Sequence, residues 1–261
     1  MIRAVVAGAA GKMGSRVLAA LRAEKDFAIT GAFERPDSEQ VGRVIEGATV
    51  SAGIEQALEG GADVVIDFTV PAASVQNARA CAERGVGLVI GTTGLSPAQK
   101  AELGAAAKRI PLLIAPNMSV GVNVLFRVVA EAARALGSAY EVEVLEMHHR
   151  MKRDAPSGTA LALAEVAAGA LGLDVRSASV YERRGETGAR KADSIGVQAL
   201  RGGDVVGDHT VYFLADGERL ELTHRATSRD NFARGAIRAA RFIARSKPGL
   251  YDMQDVLGFR T

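Results

Sequence analysis

The segment His148-His149-Arg150-Met151-Lys152-Arg153-Asp154-Ala155-Pro156-Ser157-Gly158-Thr159-Ala160 opens with two histidines, a lysine and two arginines within six residues. Histidine titrates near ~6.5 when unperturbed, which suits proton transfer or an anion contact at neutral pH. In an extended segment neighbouring side chains point to opposite sides, so His148 and His149 take different roles. The surrounding cations suit a carboxylate-bearing substrate. Ser157, Gly158 and Thr159 then lead into a helix whose free N–H groups make a second anion cradle. The plainer alternative is a solvated basic loop with Ser157 as a helix cap. Two adjacent histidines with no third His, Cys or carboxylate at ligand spacing make a poor first shell, so no metal is expected.

A second segment, Gly8-Ala9-Ala10-Gly11-Lys12-Met13-Gly14, follows an apolar run and opens a helical one. A dinucleotide pyrophosphate needs such a turn, because glycine lets the backbone approach the ligand and helix N–H groups face its charge. The spacing is GxxGxxG, not the commoner GxGxxG. Glu34 lies twenty residues beyond Gly14, where a carboxylate accepts ribose hydroxyls, and Arg35 beside it suits a 2′-phosphate, so both NADH and NADPH are expected as cofactors. The alternative is ordinary turn glycines with Glu34 in a solvated loop. Lys12 is assigned only its backbone. Gly91-Thr92-Thr93-Gly94 and Ala115-Pro116-Asn117-Met118 also fall at carboxyl ends of apolar runs, where they approach the nicotinamide end.

The elements that must hold these segments are readable from periodicity. Strands are expected at 2–7, 27–33, 64–68, 87–90 and 112–115, alternating with helices at 13–24, 72–84 and 97–108. That alternation predicts an α/β fold with a doubly wound parallel sheet. Residues 36–51 receive no assignment. Beyond about 119 the pattern changes: a long helix at 120–136, a half-solvated strand at 141–147, a helix at 159–171, and strands at 179–181, 194–201, 205–214 and 219–226. Asp216-Gly217 marks a hairpin. This block reads as an α+β domain inserted in the first, followed by a helix at 231–246 that returns to the first sheet. The expected domains are 1–118 plus 229–261, and 119–228.

Composition narrows the function. Net charge is +2 and aromatics are 5%, which argues against a nucleic-acid partner. The lone Cys81 excludes an internal disulfide framework. No stretch approaches the roughly 20 apolar residues of a membrane span, and the apolar run after Arg3 is too short for a signal peptide, so a cytoplasmic protein with no membrane partner is expected.

The segments GAAGKMG at 8–14, DFT at 67–69, GTTG at 91–94, NMSVGVN at 117–123, HHRMKRDAPSGTA at 148–160 and THRATSR at 223–229 resemble the bacterial dihydrodipicolinate (4-hydroxy-tetrahydrodipicolinate) reductase family over essentially the whole chain. The resemblance implies a Rossmann-like dinucleotide domain and a second domain for substrate binding and oligomerisation, assembled as a homotetramer. It implies NADH- or NADPH-dependent reduction of a cyclic dicarboxylate in the diaminopimelate route to lysine. His148 and Lys152 match the family's proton-transfer residues, and His149, Gly158 and Thr159 its substrate-carboxylate contacts. Gly8, Ala9, Ala10, Gly11, Lys12, Met13, Glu34, Gly91, Thr92, Thr93, Ala115, Pro116, Asn117 and Met118 match its cofactor contacts; Pro116 and Met118 stand where the family varies. Two other readings compete: a different two-domain NAD(P)-dependent dehydrogenase, and a non-catalytic dinucleotide sensor with no need of the histidine–lysine loop.

Overall fold

A computed structural model describes residues 1–260. The chain divides into two compact units, one formed by Met1–Val120 with the chain from Asp230 onward, the other by Gly121–Arg229.

The first unit runs β1 (Ile2–Ala7), α1 (Gly14–Arg22), β2 (Phe27–Glu34), β3 (Val44–Ile45), β4 (Ala48–Ala52), α2 (Ile54–Ala57), β5 (Val64–Asp67), α3 (Pro71–Arg84), β6 (Gly87–Ile90), α4 (Pro97–Ala106) and β7 (Pro111–Ile114). The helix stops follow local chemistry. Pro71 opens α3 and Gly85, at φ +68°, ends it. Ser96 caps α4 through a reciprocal capping box with Gln99. Segment 36–51, which has no clear period, contains the short strand β3 and most of β4; with Val44 exposed, two-residue β3 sets only Ile45 against the core.

The second unit holds α5 (Val120–Leu136), which starts at the boundary, then β8 (Glu141–His148), α6 (Gly158–Leu171), α7 (Val175–Ala178), β9 (Ser179–Val180), β10 (Ile195–Arg201), β11 (Gly207–Ala215) and β12 (Glu218–Ala226). The chain returns to the first unit with α8 (Asp230–Ile243), β13 (Gly249–Tyr251) and α9 (Met253–Val256).

The first sheet has the order β13-β7-β6-β5-β1-β2-β4-β3 and is parallel except where β3 meets β4. The chain winds outward from β1 in both directions, so the carboxyl ends of β1, β2 and β5 meet at the switch point where such sheets bind ligands. Alternation in β1 sends Ala4 and Val6 to a layer with Leu18 and Leu21 of α1 and Ile237 and Ile243 of α8. Val5 and Ala7 face the opposite layer, with Val75, Ala78 and Cys81 of α3.

The second sheet is mixed, in the order β12-β11-β8-β10-β9. The hairpin at Asp216-Gly217 joins β11 to β12, and β10 runs parallel to β8. Val142, Val144, Ile195, Val197, Val211 and Phe213 turn one face of this sheet onto α5 and α6.

Candidate active site

The glycine turn is built as a close-packed knot. Gly8 sits at φ +64°, its N–H and that of Ala9 donate to the Phe33 carbonyl, and Gly11 N–H donates back to Gly8 at 2.9 Å. Gly14 is pressed against Gly8: a Cβ there would collide with the Gly8 carbonyl. No other residue fits, and this packing brings the start of α1 onto the end of β1. The Glu34 carboxylate closes the knot by accepting the Ala10 N–H at 2.9 Å.

Beside the turn lies a cavity of about 730 Å³, within the range of small-molecule sites. Of the expected cofactor residues, Gly8, Gly11, Glu34 and Arg35 line it, together with Phe33, Phe68, Thr69, Asn77 and Arg79. Arg35 is largely exposed at the cavity's edge, paired with Asp37 at 3.2 Å. The wall at Phe68 and Thr69 escapes a reading based on the glycine turn; its signal is the DFT segment at the end of β5. Buried Asp67 shapes that wall by accepting Thr69 N–H at 2.8 Å, the Thr69 hydroxyl at 2.6 Å and Asn77 Nδ2 at 3.0 Å.

The remaining expected cofactor residues lie outside this cavity. Ala10 and Lys12 are exposed on the turn, Ala9 is buried beneath it, and Met13 packs on the core. Gly91 follows β6, and its missing side chain makes room for the Phe68 ring. The Thr92 hydroxyl turns inward to accept from Ser74 at 2.8 Å, leaving exposed Thr93 as the free side chain of that turn. Met118 is a core side chain under α8, Ala115 is buried, half-buried Asn117 accepts the Ser119 N–H through Oδ1, and Pro116 is the exposed residue of that segment. For Thr92 and Met118, backbone is what remains available to a ligand.

In the second unit β8 delivers the histidines. Its register turns Val142, Val144, Glu146 and His148 inward and leaves His149 half-exposed on the other side. His148 Nδ1 lies 2.6 Å from Glu146 Oε2, and its ring meets that of His209 edge to face at 5.1 Å. Burial lowers the His148 protonation equilibrium, with Glu146 opposing and Lys152 and Arg201 reinforcing. Burial pushes His209 further, down to about 3, aided by His148. Glu146 is raised by burial, yet hydrogen bonds from Arg201, His148 and the Ser157 amide outweigh this and hold it below its usual value.

Lys152 brings its ammonium within 3.0 and 2.9 Å of the two Asp154 oxygens, and that contact lowers Asp154. His149 Nε2 stands 3.3 Å from Arg229 Nη2. Ser157 caps α6 by accepting the Ala160 N–H, and its hydroxyl also contacts His209 Nε2 at 3.0 Å. Gly158 is the exposed first residue of α6 and Thr159 the half-buried second. His148, His149, Lys152 and the α6 terminus thus gather at one end of β8. Glu146, Arg201, His209 and Arg229 belong to the same neighbourhood and are not evident from the loop alone. Among the described residues no group of His, Cys, Asp and Glu could hold a metal ion.

Turn, cavity and acidic partner define the class: a dinucleotide-dependent oxidoreductase whose second domain carries an acid–base cluster. The family model "Dihydrodipicolinate reductase, N-terminus" matches residues 2–118 and "Dihydrodipicolinate reductase, C-terminus" matches 121–257. The chain belongs to the dihydrodipicolinate reductase family. It is 57% identical over 266 residues, spanning 100% of this chain and 99% of the relative, to a 4-hydroxy-tetrahydrodipicolinate reductase of Anaeromyxobacter sp.. It is 54% identical over 269 residues, again 100% and 99%, to one of Myxococcus xanthus. Its fold is similar to that of a dipicolinate-bound dihydrodipicolinate reductase from Paenisporosarcina sp., with TM-score 0.78 at 22% identity and 97% of each chain covered.

Proposed function

We propose that this protein reduces 4-hydroxy-tetrahydrodipicolinate to tetrahydrodipicolinate, with loss of water, using NADH or NADPH in the diaminopimelate route to lysine. The observation that carries the reading is the pairing of a dinucleotide turn with the His148–Lys152 cluster in a chain whose whole length matches this family.

The bound nicotinamide supplies the hydride. The knot at Gly8–Gly14 would hold the pyrophosphate on its backbone N–H groups, and Glu34 would accept from a ribose hydroxyl. Both fit the group: Gly8 and Gly11 line the cavity beside the turn with backbone alone, and Glu34 lines it with a carboxylate. His149 and the Gly158 and Thr159 amides hold the substrate carboxylates, where a helix N-terminus and local cations offset a doubly negative ring. The 4-hydroxyl leaves as water with a proton from the adjacent carbon, and hydride addition to the resulting unsaturated ring leaves negative charge on its carbon–nitrogen system. The Lys152 ammonium offsets that charge, and His148, once protonated at Nε2, joins it in transferring the proton that must follow, a contribution of roughly 10²–10⁴-fold for a positioned acid.

A homotetramer in the cytoplasm completes the reading. The second sheet's other face, with Leu145, Met147, Tyr212 and Leu214 only half-covered and Leu200 exposed, supports self-association. Light scattering at the mass of four chains is expected; a monomer at micromolar concentration contradicts it. No helix among the described residues is long and apolar enough to cross a membrane.

The test is direct. Given substrate made in situ by the preceding synthase, the purified protein should oxidise NADH or NADPH at a rate proportional to enzyme. No oxidation of either cofactor rejects the reading, and dinucleotide binding without turnover on any substrate favours the sensor.

A further inference from the structure

Glu146 is completely buried, and an isolated carboxylate in that position would be too costly to keep ionised. It is instead satisfied on both oxygens. Oε1 accepts the Ser157 N–H at 2.9 Å and Arg201 Nη2 at 2.8 Å; Oε2 takes Arg201 Nη1 at 2.8 Å and His148 Nδ1 at 2.6 Å. Three separate elements meet there: Arg201 ends β10 directly opposite His148 in the β8 ladder, and Ser157 opens α6.

An ionised carboxylate only accepts, so the proton in the short contact belongs to His148 Nδ1. That assigns the tautomer and leaves Nε2 as the working nitrogen of the neutral ring. His148 is buried, and its hydrogen bond runs through Nδ1, leaving Nε2 without a hydrogen-bond partner among the described residues. Gly207 starts β11 beneath it, and a Cβ at that position would come to 2.9 Å from Nε2. The His209 ring, standing at 76° to that of His148, fixes the plane. The charged and titratable groups facing His148 are Glu146 on its own strand, Arg201 from β10, Lys152 from the following loop and His209 from β11.

We infer that Glu146, clamped by Arg201 and the Ser157 amide, is a positioning residue that locks His148 with Nδ1 protonated and Nε2 free to exchange a proton with the bound ring. The inference rests on the proposed role of His148. Its scale is that of other buried partners of functional histidines, about 10–100-fold.

Steady-state kinetics on wild type, Glu146→Gln, His148→Gln and the double variant test it. Glu146→Gln is expected to lower kcat about 10–100-fold, leave the dinucleotide Kd unchanged, and move the His148 limb of the pH profile to lower pH, because the carboxylate that favours the imidazolium is gone. The double variant should be no slower than His148→Gln, since Glu146 acts only through that ring. Equal losses from Glu146→Gln with and without His148 overturn the inference, as does an unmoved pH profile. Wild-type turnover in His148→Gln marks a different failure, that of the proposed catalytic role, and removes the inference with it. Should Glu146→Gln not fold, nitrogen NMR of the wild-type imidazoles decides: neutral His148 as the Nδ1–H tautomer supports the clamp, and the Nε2–H tautomer overturns it.

Discussion

Glu34 and Ala10 meet across the dinucleotide turn, the carboxylate Oε1 accepting the backbone N–H at 2.9 Å. One carboxylate therefore stiffens the turn and keeps a second oxygen for the ribose contact proposed above, while Arg35 next to it is paired with Asp37 in solvent. An exposed ion pair of that kind is worth at most about 1 kcal/mol, so a 2′-phosphate can draw Arg35 away from it. Replacing Glu34 with Ala should reduce kcat/KM for NADH about tenfold relative to NADPH, and Arg35→Ala should shift the ratio the other way. Kinetics with both cofactors check this. An unchanged ratio in Arg35→Ala clears that residue of any part in cofactor choice.

Gly14 offers a sharper steric test. Its Cα lies so close to the Gly8 carbonyl that even a methyl group forces the turn open. Gly14→Ala should lose measurable dinucleotide binding and cost about 1–3 kcal/mol of stability. Fluorescence titration with NADH and a thermal melt report the two effects separately; intact binding contradicts the knot described above.

The parallel sheet was legible because residues 4–7 of β1 and 64–66 of β5 are buried on both faces and read as unbroken apolar runs. The separate fates of His148 and His149 followed from strand parity alone. Glu146 shows the limit. In Val142-Glu143-Val144-Leu145-Glu146 the apolar alternation slips at Leu145, and a carboxylate takes an inward position that composition assigns to solvent. Only a partner from elsewhere makes that position tolerable. Arg201 becomes that partner through the pairing of β10 with β8, a relation between residues far apart in the chain that no local pattern encodes. Likewise Thr92 and Met118 sit in segments correctly placed after strands, yet their side chains face Ser74 and the core for packing reasons.

Acid should weaken the fold through its histidines. Burial lowers both His209, to about 3, and His148, so at mildly acidic pH the folded chain binds fewer protons than the unfolded one. Their stabilisation is complete above the unfolded value near ~6.5 and is lost as pH falls, continuing for His209 down toward 3. Each such proton gives a slope of about 1.4 kcal/mol per pH unit. Urea denaturation between about pH 6.5 and 5, above most carboxylate titration, should show stability rising with pH, and His209→Gln should flatten the slope. A slope unchanged by that substitution contradicts the assignment.

Ser157 joins cap and cluster, holding the Ala160 N–H on one side and His209 on the other. Ser157→Ala should cost about 1–2 kcal/mol from the lost cap. It should also raise the substrate KM, because the α6 terminus it anchors carries the Gly158 and Thr159 amides. A loss of stability with KM unchanged would separate the cap from substrate binding.

The central claim is that His148 and Lys152 serve the chemical step while the glycine turn holds the cofactor. Measuring kcat and the NADH dissociation constant for His148→Gln and Lys152→Ala tests it most directly. Each variant should lose about 10²–10⁴-fold in kcat with cofactor affinity within a few-fold of wild type. Wild-type turnover in either, or a loss confined to NADH binding, would contradict it.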